Sequence, residues 1–114
     1  MENCIFCKIA AGEIPAAVVY EDEDALAFKD VNPQAPVHVL LVPKKHVRDV
    51  LDCAENAPEL LGKLSVLTAK VARDQGLSEN GFRLVSNCGE DARQSVKHFH
   101  IHILGGKTMA DGMV

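Results

Sequence analysis

Residues 94–106 are Gln-Ser-Val-Lys-His-Phe-His-Ile-His-Ile-Leu-Gly-Gly, and in this stretch three histidines alternate with apolar residues. Alternation with a period of two is typical of a β-strand, so we predict a strand over Val96–Leu104. In a strand every second side chain lies on the same face, about 6.6–6.8 Å from the next. We therefore expect His98, His100 and His102 to line a surface or cleft together, while the apolar residues between them face the core.

The rest of the chain supplies further elements around this strand, recognised from apolar periodicity and from Gly and Pro at their ends. The predicted elements are a helix over Cys4–Ala11, strands over Ala17–Tyr20, Ala25–Lys29 and Val37–Val42, a helix over Ala57–Gln75 and a strand over Phe82–Ser86. Five strands and two helices predict an α+β fold in which the helices lie on one face of the sheet.

Composition limits the classes of function. The 114 residues are 47% hydrophobic and 25% charged, which predicts a single domain over residues 1–114. The formal charge is −4 and the basic residues are scattered, so we expect no nucleic-acid partner. Charged or polar residues interrupt every apolar run before the ~20 residues of a membrane span, and the N-terminus lacks a signal-peptide pattern. We therefore expect no membrane association and a cytoplasmic location.

Three histidines on one face favour chemistry over a purely structural role, because each neutral ring needs partners for both nitrogens. Two mechanisms fit the pattern. Histidines at i and i+2 could share a catalytic metal that activates water. Alternatively, one imidazole attacks phosphorus and forms a phospho-histidine intermediate while its neighbours fix its tautomer. His38 is the single polar residue in the predicted buried strand 37–42, so its presence there also has to be explained.

The Cys4-x-x-Cys7 pair near the N-terminus admits three interpretations, which are a zinc site, a redox pair and two buried thiols. A zinc site requires two further ligands, which the spacing alone does not identify. Cys53 and Cys88 are isolated and are expected to be ordinary buried or half-buried residues.

The stretch 94–106 resembles the motif of the histidine triad family, His-x-His-x-His followed by apolar positions. Four upstream segments are similar, in order, to blocks of that family's small nucleotide-binding branch: 4–9, 12–16, 27–30 and 32–46. The resemblance implies a homodimer whose subunits each contribute an antiparallel five-stranded sheet. It also implies a hydrolase of purine nucleoside phosphoramidates or related nucleotides that works through a covalent nucleotidyl-histidine and needs no cofactor for catalysis.

Two details within this resemblance concern the branch. Retention of His102 favours hydrolysis over transfer to hexose phosphates, and Gly105-Gly106 favours the nucleoside phosphoramidase branch over dinucleoside polyphosphate hydrolases. The tail 109–114 lacks the tryptophan of animal members, and Ala92-Arg93 replaces their pair of glycines. The leaving-group preference therefore stays open.

The resemblance also implies a role for individual residues. His100 matches the nucleophile, and the residues that match its orienting and phosphate-contacting companions are His98, His102 and His38. Ser95 matches the serine that contacts the leaving amine, and the backbone N–H groups expected to hold phosphate oxygens are those of Arg93, Gln94 and Ser95. The remaining nucleotide contacts match Phe6, Phe28 and Val31 for the base, Asp30 for the ribose and Asn87 for a nearby polar contact. The structural zinc ligands of microbial members match Cys4, Cys7, His46 and His98.

Three alternatives to the phosphoramidase remain open from the sequence. One is a nucleotide-binding or scaffolding protein whose catalysis is incidental. Another is a hydrolase of dinucleoside polyphosphates, and the third is a zinc-dependent hydrolase that uses the triad histidines as metal ligands.

Overall fold

A computed structural model describes residues 3–112 of the chain. The strands are β1 (Val18–Glu21), β2 (Ala25–Lys29), β3 (Val37–Pro43), β4 (Phe82–Val85) and β5 (Ile101–Gly105), and the helices are α1 (Ile5–Ala10), α2 (Val50–Asn56) and α3 (Pro58–Asp74). None of the helices described in residues 3–112 combines the length and apolar character that a membrane crossing demands.

The five strands form one sheet in the order β1-β2-β3-β5-β4, and every neighbouring pair is antiparallel. The predicted α+β fold with a five-stranded antiparallel sheet is therefore confirmed. The long connection through α2 and α3 lets β5 insert between β3 and β4, so the buried strand β3 lies at the centre. His38 pairs with Leu104 and Leu40 pairs with His102 across the β3–β5 register, which places both histidines on the same face.

The two faces of the sheet carry different layers. Val39, Leu41 and Ile103 face a core formed with Leu64 and Val71 of α3. The opposite face packs Phe6 of α1 against the alternate residues Leu26, Phe28, Leu40 and Val42. The expectation that the helices share one face is therefore wrong, because the apolar side chain of Phe6 covers the second face.

The structure adds the helix α2, for which the sequence analysis predicted no element. Asp49 caps its N-terminus by accepting a hydrogen bond from the Asp52 N–H at 2.9 Å. Pro58 then starts α3 directly after Ala57, which suits a residue with a fixed φ and no N–H. The helix α2 has only seven residues and a single buried side chain, Cys53, so its apolar periodicity is too weak to detect.

The predicted strand over Val96–Leu104 is too long, because β5 begins at Ile101. Ile101 pairs with Leu41, and Pro43 two residues further along β3 has no N–H to donate to a longer ladder. The Phe99 N–H instead donates to the Val47 carbonyl at 2.7 Å, which ties the preceding segment to the loop after β3.

Candidate active site and metal centre

The triad histidines lie on the α1 face of the sheet. Phe6 makes edge-to-face contacts with the rings of His98 and His100, whereas Phe99 belongs to the core on the α3 side. The predicted division into a histidine face and an apolar face is confirmed. Two of the imidazoles have little exposure, because His98 is 0% and His100 is 6% exposed.

The hydrogen bond of His100 to the main chain fixes its tautomer. Its Nδ1 lies 2.7 Å from the His98 carbonyl oxygen. A carbonyl only accepts, so Nδ1 carries the proton and donates it, which leaves a lone pair on Nε2. The His100 carbonyl in turn accepts from the Ser86 hydroxyl at 2.9 Å. The ring and the backbone of His100 are therefore both held in place with Nε2 unprotonated.

His38 and His102 form a hydrogen-bonded pair beside this ring. The Gln34 N–H donates to His38 Nδ1 at 3.0 Å, so the proton of neutral His38 is on Nε2. His38 Nε2 lies 2.8 Å from His102 Nδ1 and donates to it. The proton of neutral His102 is consequently on its Nε2. The centroids of the His100 and His102 rings are 5.1 Å apart, so this proton belongs to the same site as the His100 lone pair.

Burial keeps these rings neutral. Desolvation lowers the pKa of His38 and outweighs the attraction of the Asp30 carboxylate, whose Oδ2 lies 3.4 Å from His38 Nε2. Desolvation also lowers the pKa of His100, against the opposing effect of its bond to the His98 carbonyl. Burial, with repulsion from His100 and His38, lowers the pKa of His102 to about 4. All three rings therefore offer lone pairs and N–H donors at neutral pH.

A second group of ligand atoms lies beneath the triad. Cys4 Sγ and Cys7 Sγ lie 3.3 and 3.5 Å from His98 Nδ1, and Cys7 Sγ lies 3.2 Å from His46 Nδ1. Zn–S bonds of about 2.3 Å and Zn–N bonds of about 2.0–2.1 Å at tetrahedral angles separate sulfur from nitrogen by about 3.5 Å. The two thiols and two imidazoles therefore have both the spacing and the chemistry of a tetrahedral zinc site.

The tautomer of His98 also suits this centre. Its Nε2 lies 2.8 Å from the Pro43 carbonyl oxygen, so Nε2 donates and the lone pair is on Nδ1, facing the two thiols. Burial and the Cys4 thiol raise the pKa of Cys7 to about 11, so a cation that binds here would displace thiol protons. The four predicted zinc residues are brought together, with all donor atoms within 4.8 Å of one another.

Asp30, His38 and His102 form another group whose donor atoms lie within 4.8 Å of one another. His38 Nε2 carries a proton there, and His102 Nδ1 already accepts that proton, so neither nitrogen has a lone pair for a metal. The three triad rings also have three different partners, because His98 faces the thiols, His100 a carbonyl and His102 another imidazole. The hydrogen bonds thus disfavour the alternative in which the triad shares one catalytic metal.

The segment 87–97 holds the predicted phosphate-binding loop, and here the structure corrects the prediction. The Arg93 and Gln94 N–H groups donate to the carbonyls of Glu90 and Gly89, so neither is available for phosphate oxygens. The buried Gln94 side chain donates to two main-chain carbonyls and accepts from the Gly89 N–H, so it shapes the loop. Ser95 is exposed, and within the described part of the chain its N–H makes no hydrogen bond.

The predicted nucleotide contacts are distributed unevenly. Phe6 and Phe28 are buried edge-to-face with centroids 5.7 Å apart, so they form a wall beside the histidines. Val31 is fully exposed, and Asp30 beside it is half-buried. Asn87 is half-buried on the loop that follows β4.

Three groups that orient the histidines were missed by the sequence analysis. They are the Pro43 carbonyl, the Gln34 N–H and the Ser86 hydroxyl. The first two are main-chain groups: every residue type offers a carbonyl and every type except proline offers an N–H, so no sequence pattern signals them. Ser86 carried a weak signal, because it ends the strand next to the triad strand.

Comparisons with known proteins agree with this geometry. The sequence model of the HIT domain matches residues 11–109. The chain is 49% identical to Protein HitA of Neisseria gonorrhoeae, covering 92% of this chain and 97% of HitA. A HIT family hydrolase from Clostridium thermocellum superposes with a TM-score of 0.94 at 46% identity over 100% of this chain and 99% of that one. A histidine triad protein from Clostridium difficile gives 0.93 at 46% identity, covering 98% and 97%.

Proposed function

Because the chain belongs to the HIT domain family, we propose that it is a hydrolase of purine nucleoside phosphoramidates in which His100 is the nucleophile. The observation that carries the proposal is the 2.7 Å hydrogen bond from His100 Nδ1 to the His98 carbonyl. This bond fixes the ring at Nδ1 and leaves Nε2 with a lone pair, which is the state a nucleophilic imidazole requires.

The reaction has two steps. Nε2 of His100 attacks the α-phosphorus, a P–N bond to the ring forms, and the P–N bond to the leaving amine breaks as the amine takes up a proton from the solvent. The ring keeps its Nδ1 proton, and the His98 carbonyl offsets the positive charge of the nucleotidyl-imidazole. Water then attacks phosphorus, a P–O bond forms, and the P–N bond to the ring breaks, so that neutral His100 is regenerated, the nucleoside monophosphate is released and the proton of the water passes to the solvent. No cofactor takes part in either step.

The groups around His100 serve the phosphate and the nucleoside. The Nε2–H of His102 donates to phosphoryl oxygens, and Ser95, with an exposed hydroxyl and an uncommitted N–H, serves the leaving amine or an oxygen. The wall of Phe6 and Phe28 borders the base and Asp30 accepts from the ribose hydroxyls. Val31 and Asn87 complete this contact set.

Structural zinc is part of the proposal. Cys4, Cys7, His46 and His98 would hold it, and its chemistry there is to fix the two thiolates and two imidazoles in one geometry. Zinc would thereby hold His98 in place, and the His98 carbonyl accepts the hydrogen bond from His100 Nδ1.

A homodimer is also part of the proposal, and β4 supports it. This strand lies at the edge of the sheet and exposes 40% of Phe82 and 46% of Leu84. An unpaired edge with apolar side chains is suited to pairing with a second copy. We further place this single domain in the cytoplasm, because the four cysteines are free thiols and two of them form the candidate zinc site.

Intact-protein mass after rapid quench with an adenosine phosphoramidate tests the proposal. We expect a transient increase by one adenylyl group in the native protein. His100→Asn removes the nucleophile at similar size and should abolish the adduct. His102→Asn keeps the nucleophile and should form the adduct at least about tenfold more slowly.

The outcomes separate the alternatives. Nucleotide binding by His100→Asn with no turnover in either protein would support a binding or scaffolding role and overturn the enzyme. Faster turnover of dinucleoside polyphosphates than of phosphoramidates would keep the nucleophile and change the substrate. Turnover without an adduct would overturn covalent catalysis.

A further inference from the structure

The main-chain N–H of Gln34 starts a directed chain of hydrogen bonds that ends at the candidate active site. It donates to His38 Nδ1 at 3.0 Å, and His38 Nε2 donates to His102 Nδ1 at 2.8 Å. Each imidazole in the chain has one proton, so the direction of the first bond sets the direction of the second. An N–H group cannot accept, and the chain therefore runs from Gln34 to His102.

We propose that the Gln34 N–H is a positioning group that fixes the tautomers of His38 and His102, so that His102 presents a proton donor to the phosphoryl group. The proposal rests on the proposed function for the second part, the delivery to phosphate. The first part, the direction of the chain, is a property of the protein alone.

The reverse direction shows why this matters. If His38 carried its proton on Nδ1, its Nε2 would accept from His102 Nδ1–H, and His102 would be left with a lone pair on Nε2. That lone pair would face anionic phosphoryl oxygens and would repel them instead of donating. Both directions keep the same His38–His102 distance and the same neutral charge, so the contact between the two rings does not by itself choose between them.

The loop between β2 and β3 is built to hold this N–H. Asp30 Oδ1 accepts from the Asn32 N–H at 2.8 Å, and the side-chain Nε2 of Gln34 donates to the Asn32 carbonyl at 3.1 Å. Pro33 and Pro36 on either side of Gln34 restrict the backbone further. The second Asp30 oxygen, 3.4 Å from His38 Nε2, also favours a proton on that nitrogen. The side chain of Gln34 is exposed, so its position matters mainly through the backbone.

Three replacements at this position separate the N–H from the side chain. Gln34→Ala removes the side chain and keeps the N–H. Gln34→Pro removes both. Replacement of Gln34 by its α-hydroxy acid analogue converts the amide into an ester, which removes the N–H without the ring of proline and is the decisive variant if Gln34→Pro does not fold.

Nitrogen-15 NMR of the histidine side chains reads the tautomers directly, and single-turnover adenylylation reads their effect. We expect native protein and Gln34→Ala to show His38 and His102 as Nε2–H tautomers with equal adenylylation rates. In the ester variant, His38 and His102 should no longer be found only as Nε2–H tautomers. Its adenylylation rate should fall about tenfold with little change in the nucleotide concentration for half-saturation.

Two results would overturn the proposal. One is an ester variant with native tautomers, which would show that another group directs the chain. The other is a changed tautomer with a native adenylylation rate. If the native protein formed no adduct at all, the proposed function would fail, whereas the spectrum of the ester variant would still decide whether Gln34 directs the chain.

Discussion

Each histidine around the site owes its protonation pattern to a different neighbour. The Pro43 carbonyl gives His98 a lone pair on Nδ1, and the His98 carbonyl gives His100 a lone pair on Nε2. His38 is fixed by a donor instead of a carbonyl: the Gln34 N–H requires an acceptor at Nδ1, so the proton of His38 is on Nε2. Single main-chain contacts thus suit identical side chains to the three proposed roles of metal ligand, nucleophile and donor.

His102 provides a pH-dependent prediction at this scale. Burial lowers its pKa to about 4 in the folded protein, while an unfolded chain has a value near 6.5. As the pH falls from about 6.5 to about 4, the unfolded state binds a proton that the folded state refuses, so this residue makes the protein less stable. Above pH 6.5 both states are neutral and the contribution of His102 is constant.

The measurement is the free energy of unfolding as a function of pH for native protein and His102→Gln, which cannot titrate. We expect the stability of the native protein to fall more steeply than that of the variant between pH 6.5 and 4. Parallel curves across this range would show that the pKa of His102 is not lowered.

Gln94 provides a second residue-scale prediction. Its buried amide makes three hydrogen bonds to main-chain groups, to the Arg48 carbonyl, the Val96 carbonyl and the Gly89 N–H. Gln94→Ala leaves these groups without partners and should lower the free energy of unfolding by about 2–3 kcal/mol. The neighbour Arg93 is exposed with φ of 59°, so Arg93→Gly should be neutral or slightly stabilising. Equal effects of the two changes in chemical denaturation would refute a structural role for the Gln94 amide.

At the scale of elements, the stability of α1 depends on the candidate zinc site, because the helix is too short to be stable by itself. It has six residues, with Phe6 as its buried side chain, which is far too short for a helix to be stable alone. Its attachment passes through Cys4, which caps it, and Cys7 within it. The same helix brings Phe6 within 5.0 Å of the His100 ring, measured between centroids.

Cys4→Ser should therefore affect metal content and α1 together. We expect loss of about one equivalent of zinc per chain, a Tm lower by more than about 4 °C, and faster amide exchange within residues 5–10. Exchange in the buried part of α3 should change little under native conditions. Cys88→Ser is the matched control and should retain zinc, and a Cys4→Ser protein with native zinc content would contradict the four-ligand site.

Gly105 at the end of β5 packs against the segment after α3. A Cβ at this position would lie 2.7 Å from Leu77 Cδ2, with the rest of the Leu77 isopropyl group within 3.3 Å. Leu77 is buried, so we expect Gly105→Ala to destabilise the protein by about 1–3 kcal/mol. In a protein that already carries Leu77→Ala, the same Gly105→Ala change should cost less free energy of unfolding than it does in the native protein. Additive effects in thermal unfolding would show that the two positions do not interact.

The sequence was sufficient for elements with a clear period and insufficient where a single contact decides a boundary. The apolar run of β3 and the periodicity of α3 predicted both elements closely. The start of β5 depends on Pro43 of another strand, and α2 depends on one buried cysteine, so neither has a local signal. At the site, the motif predicted which residues meet, while their tautomers follow from main-chain atoms that the sequence does not distinguish.

At the scale of the whole molecule, the main apolar core and the candidate site lie on opposite faces of the sheet. The α3 face holds the larger apolar cluster, and the α1 face holds the histidines and the candidate zinc ligands. A cavity of about 700 Å³ lies near Phe82 and Arg83, and none of its lining residues is a triad histidine. This cavity is therefore distinct from the proposed nucleotide site, which is bordered by Phe6 and Phe28.

The edge strand β4 is the surface feature that supports the proposed homodimer. Phe82 pairs with Gly105 and Leu84 with Ile103, so both exposed side chains lie on the α3 face, where Val66 of α3 is 70% exposed. Pairing of two β4 strands about a twofold axis would join the sheets and bring these apolar residues of both copies together.

Leu84→Lys should weaken this interface, because it places a charge in the contact between the copies. We expect the dimer dissociation constant from analytical ultracentrifugation to rise at least about tenfold, with an unchanged circular dichroism spectrum. Val18→Lys at the opposite edge strand β1 changes a residue of similar exposure and should leave the dimer intact. If Val18→Lys dissociated the dimer and Leu84→Lys did not, the contact would lie at β1. A native chain that remains monomeric at high concentration would exclude the dimer altogether, and adenylylation of His100 would then have to proceed within one copy.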